Sequence, residues 1–160
     1  MMKSYTADIC DKYPDKVQVL DPKYKAYGGI SMCQGSITTI KLFEDNKALV
    51  ELLRDTNGEG KICVVDVEGN YCAVVGDNLM QFAYKNNWKA IIINGYVRDT
   101  HETLQIPVGL WALGTYPFKS QKRHDAIYNE ELKFGNVIFR ENEYIYADND
   151  GIISTKTRLE

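Results

Sequence analysis

The sequence has no basic excess, no C-x-x-C pair and only two histidines. None of its apolar runs approaches the roughly 18 residues that a membrane span requires. Each absence excludes something. Lys and Arg number 19 against 22 Asp and Glu, for a formal net charge of −3. Nucleic-acid binders draw most of their affinity from phosphate neutralisation, which needs a basic excess or stripe. The longest basic cluster, Lys119, Lys122, Arg123 and His124, is sparse, so direct nucleic-acid binding is disfavoured. The four cysteines, Cys10, Cys33, Cys63 and Cys72, have no histidine at metal-ligand spacing, which argues against a zinc site or a disulfide framework. Reduced thiols are a cytoplasmic trait. The start, Met1-Met2-Lys3-Ser4-Tyr5, lacks the apolar core of a signal peptide. No repeat or low-complexity linker interrupts the 160 residues, so a single domain over 1–160 with one buried core is expected.

What is present is an alternation of short apolar strands and amphipathic helices. Thr6 to Asp11 reads as a short helix with Thr6 as N-cap, limited downstream by Pro14. Gly28-Gly29 opens a β-rich stretch from Ile30 to Leu42. Asp45 can cap a helix carrying Leu49, Leu52 and Leu53 on one face and ending near Asn57-Gly58. Lys61 to Val67 reads as a buried strand that includes Cys63 as a small hydrophobe. Asn78 to Asn87 reads as a helix and Ala90 to Ile93 as a second buried strand. Continuously apolar strands flanking a helix indicate a parallel pair with a right-handed crossover. Val108 to Leu113 suggests another strand. Residues 136–155 suggest β-strands with turns at Glu141-Asn142 and Asp148-Asn149-Asp150-Gly151. The predicted class is α/β, a mixed, partly parallel sheet flanked by helices and β-hairpins.

Ligands of parallel units collect at the carboxyl ends of strands, beside helix N-termini. Two segments should meet there. Gly76-Asp77-Asn78-Leu79 begins the crossover helix and offers backbone N–H groups to a carboxylate or phosphate. Arg98-Asp99 follows the Ile91-Ile92-Ile93 strand and Gly95. Together they suit a 2-oxo acid. Arg98 can grip the carboxylate bidentately, and Asp99 can hold Mg²⁺ or Mn²⁺, which would polarise the keto oxygen. Two simpler readings stay open beside this one: Asp77 as a helix cap, and Arg98-Asp99 as a surface ion pair.

Several stretches carry a resemblance that extends along nearly the whole chain. They are Tyr5-Thr6-Ala7-Asp8-Ile9-Cys10-Asp11, Tyr27-Gly28-Gly29, Thr39-Ile40-Lys41-Leu42-Phe43-Glu44-Asp45-Asn46, Val64-Val65-Asp66, Gly76-Asp77-Asn78-Leu79, Asn94-Gly95-Tyr96-Val97-Arg98-Asp99 and Tyr146-Ala147-Asp148-Asn149-Asp150-Gly151-Ile152-Ile153. The chain resembles the RraA family (regulators of ribonuclease E activity) and, through the site segments, the 4-hydroxy-4-methyl-2-oxoglutarate/4-carboxy-4-hydroxy-2-oxoadipate aldolases. The aldolase pattern is an Asp, 20 residues, Arg-Asp, two residues and an acidic side chain, filled here by Asp77, Arg98, Asp99 and Glu102. The resemblance implies substrate binding by Gly76, Asp77, Asn78, Leu79 and Arg98, catalysis by Arg98 and Asp77, and a metal site at Asp99 supported by Glu102. It also implies a homotrimer with sites between subunits, and ribonuclease E as a protein partner of the regulators. Aldolases of the group are expected to be longer, whereas this chain stops at Glu160 like the compact regulators.

Two functions follow as expectations. One is a protein-binding regulator of RNA decay that carries an intact 2-oxo-acid site. The other is a metal-dependent lyase acting on oxaloacetate or an aldol substrate. Other residues are given structural roles: His101 at the site rim, His124 on the surface, Lys61 and Lys89 flanking strands, and Trp88 and Trp111 in the core or an interface. Tyr144 and Tyr146 alternate along a strand and could face a partner.

Overall fold

The computed structural model describes residues 5–43, 45–121 and 126–160. The expectations placed on Met1 to Ser4, Glu44, Lys122, Arg123 and His124 lie outside the described residues. The chain opens with helix α1 (Thr6–Lys12) and two short strands, β1 (Gln18–Val19) and β2 (Lys25–Ala26). Strand β3 (Cys33–Lys41) leads into α2 (Lys47–Asp55). Strands β4 (Lys61–Asp66) and β5 (Ala73–Val75) lead into α3 (Asp77–Lys85). Strands β6 (Ala90–Asn94) and β7 (Tyr96–Val97) precede one turn of helix, α4 (Thr100–Thr103). Then come β8 (Gly109–Ala112), β9 (Gly114–Thr115), β10 (Ile127–Tyr128), β11 (Leu132–Phe134), β12 (Val137–Phe139), β13 (Tyr144–Asp148) and β14 (Gly151–Thr155).

The main sheet runs β1-β14-β13-β3-β4-β6-β8-β2, with β10 added to β3. Its centre is parallel: Thr39 lies opposite Val64, Val64 opposite Ile92, and Ile92 opposite Trp111. The flanks β13, β14, β1 and β2 are antiparallel. The central strands are apolar on both faces because both faces are covered. Cys63, Val65, Ile91, Ile93 and Leu110 point into one core with Leu49 and Leu53 of α2 and Leu79, Met80 and Ala83 of α3. Ile37, Ile62, Val64, Ile92 and Trp111 point the other way, onto Phe134 and Phe139 of the β11–β12 hairpin and Ile145. Burial of each large aliphatic or aromatic side chain contributes about 1.5–3 kcal/mol, so the central strands anchor the fold from two sides. Both tryptophans are buried, as expected.

Several local expectations change. Gly28-Gly29 does not open a strand, which begins only at Cys33. Instead a Cβ at Gly28 would stand 2.2 Å from the Val108 carbonyl oxygen, so the pair is where this segment crosses residues 106–110. Helix α3 starts one residue earlier than its apolar pattern, at Asp77, and ends at Lys85. Tyr146 is fully buried and Tyr144 half-buried. They pack under α1 with Ile9, and the Tyr146 hydroxyl accepts hydrogen bonds from Leu159 N (2.7 Å) and Glu160 N (3.0 Å). No disulfide joins the four cysteines. Burial pushes the Cys33 thiol up to about 12, outweighing the lowering by Lys89, and pushes Cys63 up further still. Both are therefore inert protonated thiols at neutral pH.

Thr6 is not the N-cap of α1; that position is Tyr5, whose side chain makes no capping hydrogen bond. The cap comes from the far end of the chain. Asp148, in the β13–β14 turn, accepts from Tyr5 N (2.8 Å), Thr6 N (2.9 Å), the Thr6 hydroxyl (2.7 Å) and Asp150 N (2.9 Å). A buried carboxylate thus satisfies the orphan amides of a seven-residue helix and closes its own turn. Burial pushes the Asp148 carboxyl up, but the hydrogen bonds from Thr6, Tyr5 and Asp150 outweigh it and hold the group below its ordinary value of 3.8. A carboxylate lowered by folding stabilises fully above its unfolded value, and loses that contribution as pH falls through the folded one. Asp148→Asn should therefore cost about 2–3 kcal/mol at neutral pH and flatten the acid limb of the stability curve, as read by urea denaturation between pH 3 and 7.

Candidate functional site

A small parallel sheet, β5-β7-β9, builds the site. Ala73 pairs with Tyr96 and Val75 with Val97, and Arg98 N donates to Val75 O at 2.9 Å. That last hydrogen bond sets the start of α3 and the Arg98-Asp99 turn side by side. Two segments more than twenty residues apart in sequence thus share one corner of the molecule. Asp99 adopts the left-handed conformation (φ 60°, ψ 40°), which Asp tolerates better than most residues. Its carbonyl accepts from Glu102 N (3.0 Å) and Thr103 N (2.9 Å), so α4 folds directly off the turn. At the other strand ends, Asn94 bonds Asp66 (2.9 Å) and receives the Tyr24 hydroxyl (2.8 Å). This chain ties the loop leading to Arg98 into the main sheet.

Of the two simpler readings, the ion pair fails, while Asp77, though not the N-cap residue, does engage a first-turn amide of α3. Gly76, in extended conformation (φ −141°, ψ −162°), is the N-cap of α3, and Asp77 is the first helical residue. Among the described residues Arg98 forms no ion pair with Asp99 or with any other carboxylate; its guanidinium donates to Pro117 O at 3.3 Å. The Asp99 carboxylate turns to the helix instead and accepts from Asp77 N at 3.3 Å. Asp77 Oδ1 accepts from Asn78 N at 2.9 Å. Two amides at the positive end of α3 are therefore engaged by carboxylates, the chemistry expected of a ligand there. Gly76 is what admits Asp99: a Cβ would lie 2.5 Å from Asp99 Oδ2.

These groups line a cavity of about 510 Å³. Gly76, Asp77, Asn78, Leu79, Arg98 and Asp99 all contribute to it, so the structure brings together every predicted site residue except Glu102. Glu102 is exposed one turn along α4 and His101 beside it is exposed too; neither lines the cavity. No group of three or more His, Cys, Asp or Glu is arranged to hold a metal among the described residues. The cavity also includes Lys119 and Asn46, which sequence reasoning did not place there. Asn46 precedes α2 and is fixed by a hydrogen bond from its amide to Val74 O at 2.9 Å. Lys119 read as part of a sparse basic cluster. What places it in the site is backbone pairing to Ala73 on β5, a long-range contact that local pattern does not announce.

An α/β domain in which the N-terminus of α3 faces an Arg-Asp turn defines the class. The chain belongs to the RraA-like family (Aldolase/RraA), whose model matches residues 6–154. A Pseudomonas putida (strain W619) protein named "Putative 4-hydroxy-4-methyl-2-oxoglutarate aldolase" is 44% identical over 161 residues, covering 100% of this chain and 98% of the relative. Among solved structures, the RNA-processing inhibitor RraA from Thermus thermophilis superposes with a TM-score of 0.93 at 31% identity, covering 99% and 96% of the two chains. A Geobacillus kaustophilus structure described as S-adenosylmethionine:2-dimethylmenaquinone methyltransferase gives 0.92 at 38% identity, covering 99% and 97%. The relative named as a putative aldolase is as compact as this chain.

The Gly76–Asp99 contact has a measurable consequence. Gly76→Ala should cost about 1–3 kcal/mol by overpacking against the carboxylate. The same change made in an Asp99→Ala background should cost under about 0.5 kcal/mol, because the clash partner is gone. A double-mutant cycle by chemical denaturation checks this; equal costs in both backgrounds would refute the contact.

Proposed function

We propose that the chain is a divalent-metal-dependent carbon–carbon lyase acting on 2-oxo acids, with oxaloacetate decarboxylation or a pyruvate-releasing aldol cleavage as its reaction. The observation that carries this is Arg98, without an ion pair among the described residues, set beside the N-terminus of α3 in a cavity edged by Asp77 and Asp99. Arg98 binds the substrate carboxylate through its planar fork, and the α3 amides donate to the same end of the molecule. Decarboxylation breaks the C3–C4 bond, releases CO₂ and leaves the electron pair on the pyruvate enolate. The positive charges of Arg98 and the helix terminus favour that anion. Asp77, at the cavity edge, passes a proton from solvent to C3 to give pyruvate.

The donor set fits a hard cation. Asp99 offers one exposed carboxylate, Asp77 lies beside it, and no sulfur or imidazole lines the cavity among the described residues. Mg²⁺ or Mn²⁺ accepts so few protein ligands because it keeps most of its water. When bound, such an ion supplies Lewis-acid polarisation of the 2-keto oxygen. Glu102 approaches this shell only if its side chain or the α4 turn moves. The family's trimeric assembly, with sites between subunits, belongs to this reading, as does a cytoplasmic location; no helix among the described residues is long and apolar enough to cross a membrane.

A second reading rests on the close superposition with RraA: a regulator that binds ribonuclease E by protein contact, without touching RNA. The acidic balance of the sequence suits that route. The two functions are compatible. Pyruvate release from oxaloacetate, measured with Mg²⁺ and with chelator and corrected for free-metal decarboxylation, tests the first. Turnover should need the metal, fall about 10²–10³-fold in Arg98→Ala and vanish in Asp99→Asn. Wild-type turnover no higher than the metal blank would remove the lyase reading and leave ribonuclease E capture as the function to pursue.

A further inference from the structure

We propose that Thr103 is a positioning residue for Asp99: its buried hydroxyl pins the Asp99 turn to the main sheet and so sets how tightly the site holds a divalent cation. The cation rests on the lyase reading of the site; the pinning stands without it. The turn that carries Asp99 needs holding from outside. Asp99 is left-handed (φ 60°), a backbone conformation that a residue with a side chain keeps only where its surroundings over-determine it. Upstream, Arg98 N is bonded to Val75 O. Downstream, the Asp99 carbonyl accepts from two amides of α4, Glu102 N and Thr103 N. Helix α4 is four residues long, too short to persist on its own hydrogen bonds. Whatever fixes α4 therefore fixes Asp99.

Thr103 is the buried residue of α4. Its hydroxyl donates to Tyr27 O at 2.7 Å. A helical threonine ordinarily turns its hydroxyl back onto its own helix, and here the Thr100 carbonyl lies 3.4 Å away. The shorter bond, which leaves the helix, is the stronger one. Its acceptor is itself fixed. Tyr27 N donates to Leu110 O at 2.7 Å and Gly29 N to Ile106 O at 2.9 Å, so the Tyr27 carbonyl sits between two backbone bonds. Glycine allows this crossing, since a Cβ at Gly29 would stand 2.3 Å from Ile106 O. One hydroxyl thus joins the site turn to β8 and the parallel centre of the main sheet.

Thr103 does not line the cavity, so it acts on the site through Asp99. The Asp99 carboxylate reaches Asp77 N at 3.3 Å, across a glycine with no room for a Cβ. A small shift of the turn would misdirect it. Mg²⁺ and Mn²⁺ take few protein ligands and so depend on each. Loss of an outer support typically lowers metal affinity about 10–100-fold.

Two variants separate positioning from packing. Thr103→Val keeps the volume and removes the donor; Thr103→Ser keeps the donor and removes a buried methyl. Both should lower the melting temperature, so stability does not distinguish them. Position does. In Thr103→Val, Mn²⁺ affinity, read from the paramagnetic resonance of the free ion, should fall about tenfold. The Glu102 amide, bonded to Asp99 O, should exchange with solvent about tenfold faster in the same variant. Thr103→Ser should stay within about twofold of the wild type on both measures. Equal changes in the two variants, or none in Thr103→Val, would overturn the pinning role. A wild-type protein that binds no Mn²⁺ would remove the cation reading, and the Glu102 amide would then decide alone. Faster exchange confined to the valine variant would uphold the pin, and any other pattern would refute it.

Discussion

The pairing of β5 with β7 is the constraint on which the site depends. Five residues make it, yet it fixes where α3 begins and where the chain turns after Val97. The hydrogen bond from Arg98 N to Val75 O closes the register, and the two carboxylates turn to the α3 terminus. The larger sheet beneath supplies the rigidity. Its parallel centre is filled on both faces, so the loops leaving the carboxyl ends of β4 and β6 start from fixed points, and the Asp66–Asn94–Tyr24 chain ties them down. A positioning error here would act on several ligand contacts together, which is why a site on so small a secondary sheet needs so large a primary one.

Much of this was legible in the residue order. β-Branched runs such as Ile62 to Val65 and Ile91 to Ile93 can be buried on two faces only in a parallel centre, and the structure places them there. The helix through Leu79 and Ala83 declared itself by period. Two things were not legible. Asp148 is an ordinary turn residue by local chemistry, and nothing near Thr6 signals that its amide partner lies 142 residues away. Lys119 looked like surface charge because its place depends on a single backbone bridge to Ala73. Both are long-range pairings, and periodicity carries no information about those. For Arg98 and Asp99, adjacent in sequence, an ion pair stood open as the simpler alternative; the left-handed turn at Asp99 sends the carboxylate to the helix instead.

The relatives carry three different functional names on one scaffold: an aldolase, a methyltransferase and an RNA-processing inhibitor. Fold alone cannot choose among them. The distribution of charge in the cavity is more informative. Two carboxylates and two cations face one space, with the carboxylates resting on a helix terminus and the cations unpaired within the described residues. In the proposed function that arrangement would take a small anion, with hard oxygen donors in reach of the same point.

The long-range cap on α1 has a bearing on how the molecule is made. A seven-residue helix is too short to persist in water by itself, and its amides wait for an acceptor near the other end of the chain. During synthesis, α1 therefore precedes its acceptor by 142 residues and cannot take this cap before the β13–β14 turn has formed. Until then Tyr146 and Ile153 lack the cover of Ile9. The N-terminal segment acts as a late latch whose closure reports that the final hairpin is in register.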